Sequence, residues 1–119
     1  MTEQLKTHRA DEQDFGLDIE APVAGDVSAT PYVISWLDKN GIQSTVELKF
    51  QDGPIPDGRN GVTLEALTAI VLHRLERLNA EIECAENQYA WANLSAALQW
   101  LHNRTKARRA RGVEGTREA

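Results

Sequence analysis

From Cys84 to Thr105 the residues Cys84, Asn87, Trp91, Leu94, Leu98, Leu101 and Thr105 follow one another at steps of 3, 4, 3, 4, 3 and 4. A recurrence of this kind keeps one stripe on one side of a helix, the heptad seam of helices that pack side by side. It predicts a helix from about Glu83 to Ala107. Gly112 supplies the stop, and Arg108, Arg109 and Arg111 complement the C-terminal end of its dipole. A second run precedes the first. Thr63 can cap a helix through about Asn79 in which Leu64, Leu67, Val71, Leu75 and Leu78 recur three and four residues apart. So few residues separate the two runs that the helices must turn back on each other as an antiparallel hairpin.

The first half of the chain carries a different period. Tyr32 to Leu37 and Ile42 to Gln51 are β-rich runs on either side of Asp38-Lys39-Asn40-Gly41, which predicts a β-hairpin. Register follows from side-chain polarity. A three-residue loop Lys39-Asn40-Gly41 with Gly41 left-handed sets Trp36 opposite Ser44, Ile34 opposite Val46 and Tyr32 opposite Leu48, so the large residues share a face. A two-residue turn would leave aromatics on the polar face. Upstream, Leu17, Ile19, Ala21 and Val23 alternate with polar residues and Pro22, which predicts a short edge strand.

The predicted fold class is α+β: a small antiparallel β-hairpin or sheet followed by a long antiparallel helical hairpin. Residues 1–14 hold too little apolar surface to offset the entropy of ordering them, and are expected to be a flexible acidic arm. Residues 15–119 form a single domain, consistent with a chain of 119 residues. Within it the β part spans 15–51, a Gly- and Pro-rich loop without strand or helix 52–62, the helical hairpin 63–111 and a tail 112–119.

Charge narrows the partners. Residues 1–60 carry 5 Lys and Arg against 11 Asp and Glu, whereas residues 103–119 carry 6 against 2, so the positive charge is terminal. A chain of net charge −5 repels a polyanion at long range, and neither DNA nor RNA duplex is expected as a partner. A small phosphorylated ligand is compatible with it. No run reaches the roughly 18 apolar residues of a membrane span, the first residues lack a secretory h-region, and Cys84 is the only cysteine. A cytoplasmic protein with no membrane partner is expected.

No catalytic constellation is visible. His8, His73 and His102 fall on separate elements, none at ligand spacing from Cys84 or a carboxylate, so neither an enzyme, a metal nor a cofactor is expected. Cys84, among Glu81, Glu83 and Glu86, reads as a packed core thiol rather than a nucleophile. Asn87 is the odd member of the seam, because an amide among Cys84, Trp91 and Leu94 needs hydrogen-bond partners. Either it fixes register, as polar residues do in coiled coils, or it meets a base or ribose. Arg104 is correspondingly either a cation at the helix C-terminus or a phosphate clamp.

The residues Phe50-Gln51-Asp52-Gly53-Pro54-Ile55, Asn60-Gly61-Val62-Thr63, Cys84-x-Glu86-Asn87, Ala97-Leu98-x-Trp100-Leu101, Arg104-Thr105 and Arg111-Gly112-Val113-Glu114-Gly115-Thr116 resemble a family of phage proteins over roughly residues 46–116. These are the first-described Thoeris anti-defence sponges. They bind cyclic ADP-ribose isomers made by bacterial TIR enzymes and hold them without cleavage, in the cytoplasm of the bacterial host. The resemblance implies that Asn87 and Arg104 contact the nucleotide and that Leu78 falls where the family usually has a base-stacking Phe. It departs from the family in a connection between the helices one residue shorter, in Ala85 for a usual Arg and in Arg117 for a usual His. Trp91, Tyr89 or Trp36 would replace the lost stacking.

The function expected is therefore sequestration of a cyclic ADP-ribose isomer or related cyclic nucleotide, which blocks Thoeris effector activation. Arg104 with Arg59 or Arg108 meets the phosphates, Asn87 the sugar or base edge, and Leu78 and Trp91 the base face. At about 1.5 Å per residue, the 17 residues between Asn87 and Arg104 span about 25 Å along one helix, which no compact cyclic nucleotide bridges. A homodimer or higher homo-oligomer with shared sites is expected. The alternative is a helical-hairpin oligomeric adaptor that inhibits a host protein by direct contact.

Overall fold

The computed structural model describes residues 2–10, 16–25 and 30–114. Its strands are β1 (Thr2–Leu5), β2 (Leu17–Pro22), β3 (Tyr32–Leu37) and β4 (Gln43–Leu48); a 3-10 turn at Ile55–Asp57 precedes the helices α1 (Leu64–Glu81) and α2 (Ala85–Arg111). This is the α+β class read from the sequence. The chain divides into two compact units, Met1–Phe50 and Gln51–Ala119.

The first unit is an antiparallel meander with strand order β1-β2-β3-β4. Its last hairpin has the register that side-chain polarity demands: Tyr32 pairs with Leu48, Ile34 with Val46 and Trp36 with Ser44. Asp38 makes the turn. Its backbone N–H donates to the Ile42 carbonyl at 2.9 Å and its carboxylate accepts from the N–H groups of Asn40 and Ile42 at 2.8 and 2.9 Å. Gly41 closes the loop at φ 76°, a left-handed conformation that side chains with a Cβ resist. On the same face β2 adds Leu17 opposite Trp36 and Ile19 opposite Ile34, and Phe50 meets Tyr32 edge to face with ring centroids 5.5 Å apart.

Two expectations for this unit are corrected. Residues 2–5, read as part of a flexible arm, form strand β1, with Leu5 paired to Ile19 and Glu3 to Ala21. An edge strand is held by backbone bonds and cross-strand polar pairs, so it needs little apolar side chain. Here Thr2 Oγ1 donates to Glu20 at 2.6 Å, Gln4 Nε2 to Asp18 at 3.1 Å, and Arg9 pairs with Asp18 at 3.2 Å. Consequently β2 is an interior strand, not the edge strand expected, and Pro22 is accommodated at its last residue. Residues 11–14 of the expected arm, and residues 115–119 of the tail with Arg117, lie outside the described residues.

In the second unit two side-chain amides fasten the Gly- and Pro-rich loop. Gln51 Nε2 donates to the carbonyls of Gly53 and Gly58 at 3.2 and 2.9 Å, while its Oε1 accepts from the N–H groups of Asn60 and Gly61 at 2.9 and 3.3 Å. Asn60 completes the brace through the backbone of Asp52, accepting from its N–H at 2.8 Å and donating to its carbonyl at 2.7 Å. The loop holds the 3-10 turn where no helix was expected; Pro54 and Pro56 supply its fixed φ. Thr63 then caps α1, its Oγ1 accepting from the Ala66 N–H at 3.1 Å, a bond that contributes about 1 kcal/mol.

Helices α1 and α2 form the antiparallel hairpin, joined through Ile82, Glu83 and Cys84. The residues of α2 withdrawn from solvent include Asn87, Leu94, Leu98, Leu101 and Thr105, as the seam predicts, whereas Trp91 of the same seam is 39% exposed. Along α1 the withdrawn residues are Glu65, Leu67, Thr68, Leu72, Leu75 and Asn79, so Leu67 and Leu75 of the expected stripe face inward and the rest of it does not. Leu64, Val71 and Leu78, each seven residues from the next, are 50%, 42% and 39% exposed. They lie on a different stripe because Glu65 and Asn79 have partners across the hairpin. Thr105 Oγ1 donates to Glu65 at 2.6 Å and the Cys84 N–H donates to Asn79 Oδ1 at 3.2 Å. Gly112, at φ 72°, ends α2 with its N–H on the Arg109 carbonyl, and the Val113 N–H reaches back to the Arg108 carbonyl.

Candidate ligand cleft

Where the two helices diverge toward their connection they leave a cleft of ≈ 390 Å³ lined by Leu75, Glu76, Asn79 and Ala80 of α1 and Asn87, Gln88 and Trp91 of α2. The volume falls within the range of small-molecule pockets, roughly 300–1,000 Å³. The Trp91 indole N–H donates to Glu76 at 3.0 Å, which fixes the ring as one wall. Asn87 Nδ2 donates to the Ile82 carbonyl at 3.3 Å, leaving its Oδ1 as an acceptor. Asn79 spends its Oδ1 on the Cys84 N–H and keeps its NH₂ as a donor. Gln88 is tied by its NH₂ to Glu83 at 2.9 Å. The cleft thus offers an aromatic wall, aliphatic surface from Leu75 and Ala80, and amides of both polarities.

Of the residues singled out from the sequence, Asn87 and Trp91 meet here. Leu78 does not line the cleft; it lies on the exposed stripe of α1. Arg104 is on the unbroken helix α2, 17 residues beyond Asn87, or about 25 Å at the standard rise. Arg59 is exposed on the braced loop. Arg108 is buried, its guanidinium donating to the Val113 carbonyl at 2.9 Å. The seam explains this: a further step of three beyond Thr105 lands on Arg108, which turns inward to fasten the end of α2. Arg109 next to it is exposed and paired with Glu114 at 2.7 Å; the hydrogen bond and the charge of Glu114 raise its pKa above the ordinary value.

Cys84 is not a packed core thiol. It is the N-cap of α2, its Sγ accepting from the Asn87 N–H at 3.4 Å, which aims the Asn87 backbone at the connection. No group of three or more His, Cys, Asp or Glu side chains suited to a metal ion occurs among the described residues. No helix among them is long and apolar enough to cross a membrane. Sequence reasoning missed Glu76, Asn79 and Gln88. Antiparallel pairing about a turn at 82–84 sets residue 76 against residue 91, so the Glu76 and Trp91 pair could have been found by folding the two helices onto each other.

A four-stranded sheet preceding a helical hairpin, with a cleft at the closed end of that hairpin, defines an α+β hairpin protein. The family model described as "Acb2/Tad1, hairpin domain" matches residues 43–106, which take in β4, the braced loop, α1 and most of α2. The chain belongs to this family of phage Thoeris anti-defence proteins. It is 48% identical over 73 residues to "Thoeris anti-defense 1" of Bacillus phage SBSphiJ7, an alignment that takes in 60% of this chain and 51% of that protein. The chain thus spans about half the length of the curated relative it matches.

Proposed function

We propose that this protein sequesters a cyclic ADP-ribose-type signalling nucleotide without degrading it and so counters Thoeris defence in the host cytoplasm. The observation that carries the reading is the cleft itself: Asn87 and the Trp91 ring stand together in a pocket of ≈ 390 Å³ on the hairpin by which the chain belongs to an anti-defence family. Trp91 supplies a stacking surface in place of the Phe for which this chain has Leu78. The Asn87 amide meets the sugar or base edge, and Arg104, with Arg59, meets the phosphates. Arg108 supports this cationic end from inside the fold. No nucleophile and base pair is needed, because a sponge acts by stoichiometry and slow release.

Each site is formed by two chains. The separation of about 25 Å between Asn87 and Arg104 supports this, since one nucleotide reaches both only if a second α2 runs antiparallel to the first. The exposed stripe of Leu64, Val71 and Leu78, with Ile70 at 63% and Trp100 at 72% exposure, gives such a partner apolar surface to cover. Calorimetric titration of the purified protein with cyclic ADP-ribose and its isomers tests the reading. Saturable binding of at least one isomer, at about nanomolar Kd, is the expected result. Absence of binding to all of them, together with capture of a host protein in its place, is the result expected of the direct-contact adaptor.

A further inference from the structure

The cleft holds one charged group, and its sign is negative. Among the described residues that line it, Glu76 is the only ionisable side chain, and no Lys or Arg stands with it. A phosphate placed inside this cleft would meet a carboxylate and three amides, with no cation of the same chain lining it to offset the repulsion. An uncharged nucleoside meets something different: an indole face, aliphatic walls, the Asn87 carbonyl oxygen and the Asn79 NH₂. The carboxylate has a second task. One of its oxygens receives the Trp91 indole N–H at 3.0 Å, so the group that repels a phosphate also orients the ring on which a base would lie.

We propose that Glu76 is the specificity-determining residue of this cleft: it admits the nucleoside half of the ligand, holds the Trp91 wall in place for it, and turns the phosphates outward. The inference rests on the nucleotide-sponge reading and adds to it the orientation of the ligand. The phosphates are then left to cations at the mouth of the cleft, where the shared site brings up the Arg104 of the second chain.

The two tasks of Glu76 separate by substitution. Glu76→Gln keeps an oxygen acceptor for the indole N–H and removes the charge; Glu76→Ala removes both. Both are made in a Trp36→Phe, Trp100→Phe background, whose self-association and cyclic ADP-ribose affinity are first matched against the parent protein, so that Trp91 is the only tryptophan reporting by fluorescence. The probes are adenosine, which is neutral, and adenosine monophosphate, titrated alone and in competition with cyclic ADP-ribose. With Glu76 present, adenosine is expected to bind about ten-fold more tightly than the monophosphate. Glu76→Gln should leave adenosine affinity within about two-fold while erasing that preference, and Glu76→Ala should weaken adenosine about ten-fold and broaden the Trp91 emission. Circular dichroism melts, which should coincide for the three proteins, exclude a folding effect.

Equal affinity for the two probes with Glu76 present, or a preference that Glu76→Gln leaves unaltered, overturns the assignment. If cyclic ADP-ribose binds and adenosine does not compete, the orientation is wrong and the sponge reading stands. If no probe and no cyclic ADP-ribose isomer binds, the sponge reading falls and the assignment falls with it.

Discussion

Protomers carrying Asn87→Ala and protomers carrying Arg104→Ala, each expected to bind a cyclic ADP-ribose isomer at least ten-fold more weakly than the parent protein, should regain about one intact site per heterodimer when mixed. Helix α2 is continuous from Ala85 to Arg111, so about 25 Å separates the two residues on one chain and no bend brings them together. In the proposed dimer, two-fold pairing of antiparallel helices puts the Arg104 of one chain by the Asn87 of the other and makes two equivalent sites. In a mixed dimer one site carries both substitutions and the other carries neither, and the second binds normally. Calorimetric stoichiometry before and after mixing reads this directly. Full affinity in a monomer, or no recovery on mixing, contradicts the shared site. If Asn87→Ala destabilises the fold by more than about 2 kcal/mol and leaves affinity intact, Asn87 serves register alone.

Replacing Ile70 and Val71 together with Asp is expected to lower self-association at least 100-fold and to abolish nucleotide binding with it. Apart from Leu72, at 8% exposure, no large apolar residue of the second unit is buried among those described, whereas Ile70 and Val71 are 63% and 42% exposed. Covering one such side chain contributes about 1.5–3 kcal/mol, and a two-fold interface covers each residue twice, so charges here act on both sides at once. Two helices alone bury little. A partner that covers this stripe stabilises the hairpin as well as completing the site, so the doubly substituted protein should also melt at lower temperature. Sedimentation at several concentrations measures the effect. Unaltered association at every concentration places the contact elsewhere.

The β3–β4 hairpin was legible to the residue because two independent signals coincide there, the alternation of large and polar side chains and the Asn40-Gly41 pair that needs a left-handed residue. Strand β1 was not, since an edge strand is held by its backbone and by pairs such as Thr2 with Glu20, which leave no apolar pattern. Both helices were legible from their periods, but the inward stripe of α1 was legible only at Leu67 and Leu75. Leucines on two adjacent stripes look alike in sequence, and only the partners of Glu65 and Asn79 show which stripe faces α2. Cys84 went unrecognised as a cap because a thiol is outside the usual set of capping side chains. Of the candidate site, Asn87 stood out as an amide in an apolar seam and Trp91 as a vacant aromatic. Glu76 lay hidden because its significance depends on which residue of α2 it faces. Arg108, read as a cation at the helix C-terminus and as a phosphate contact, is buried because the step that defines the seam continues to it.

A sponge of the kind proposed holds its nucleotide and does not consume it. The most direct measurement incubates the protein with a stoichiometric amount of a cyclic ADP-ribose isomer that it binds, denatures the protein by heat, and quantifies the released nucleotide by chromatography. Full recovery of the cyclic species, unaltered after long incubation, is the result expected of a cleft whose lining supplies amides, one carboxylate and an indole. Appearance of linear ADP-ribose at a rate proportional to protein concentration would contradict it and identify an enzyme.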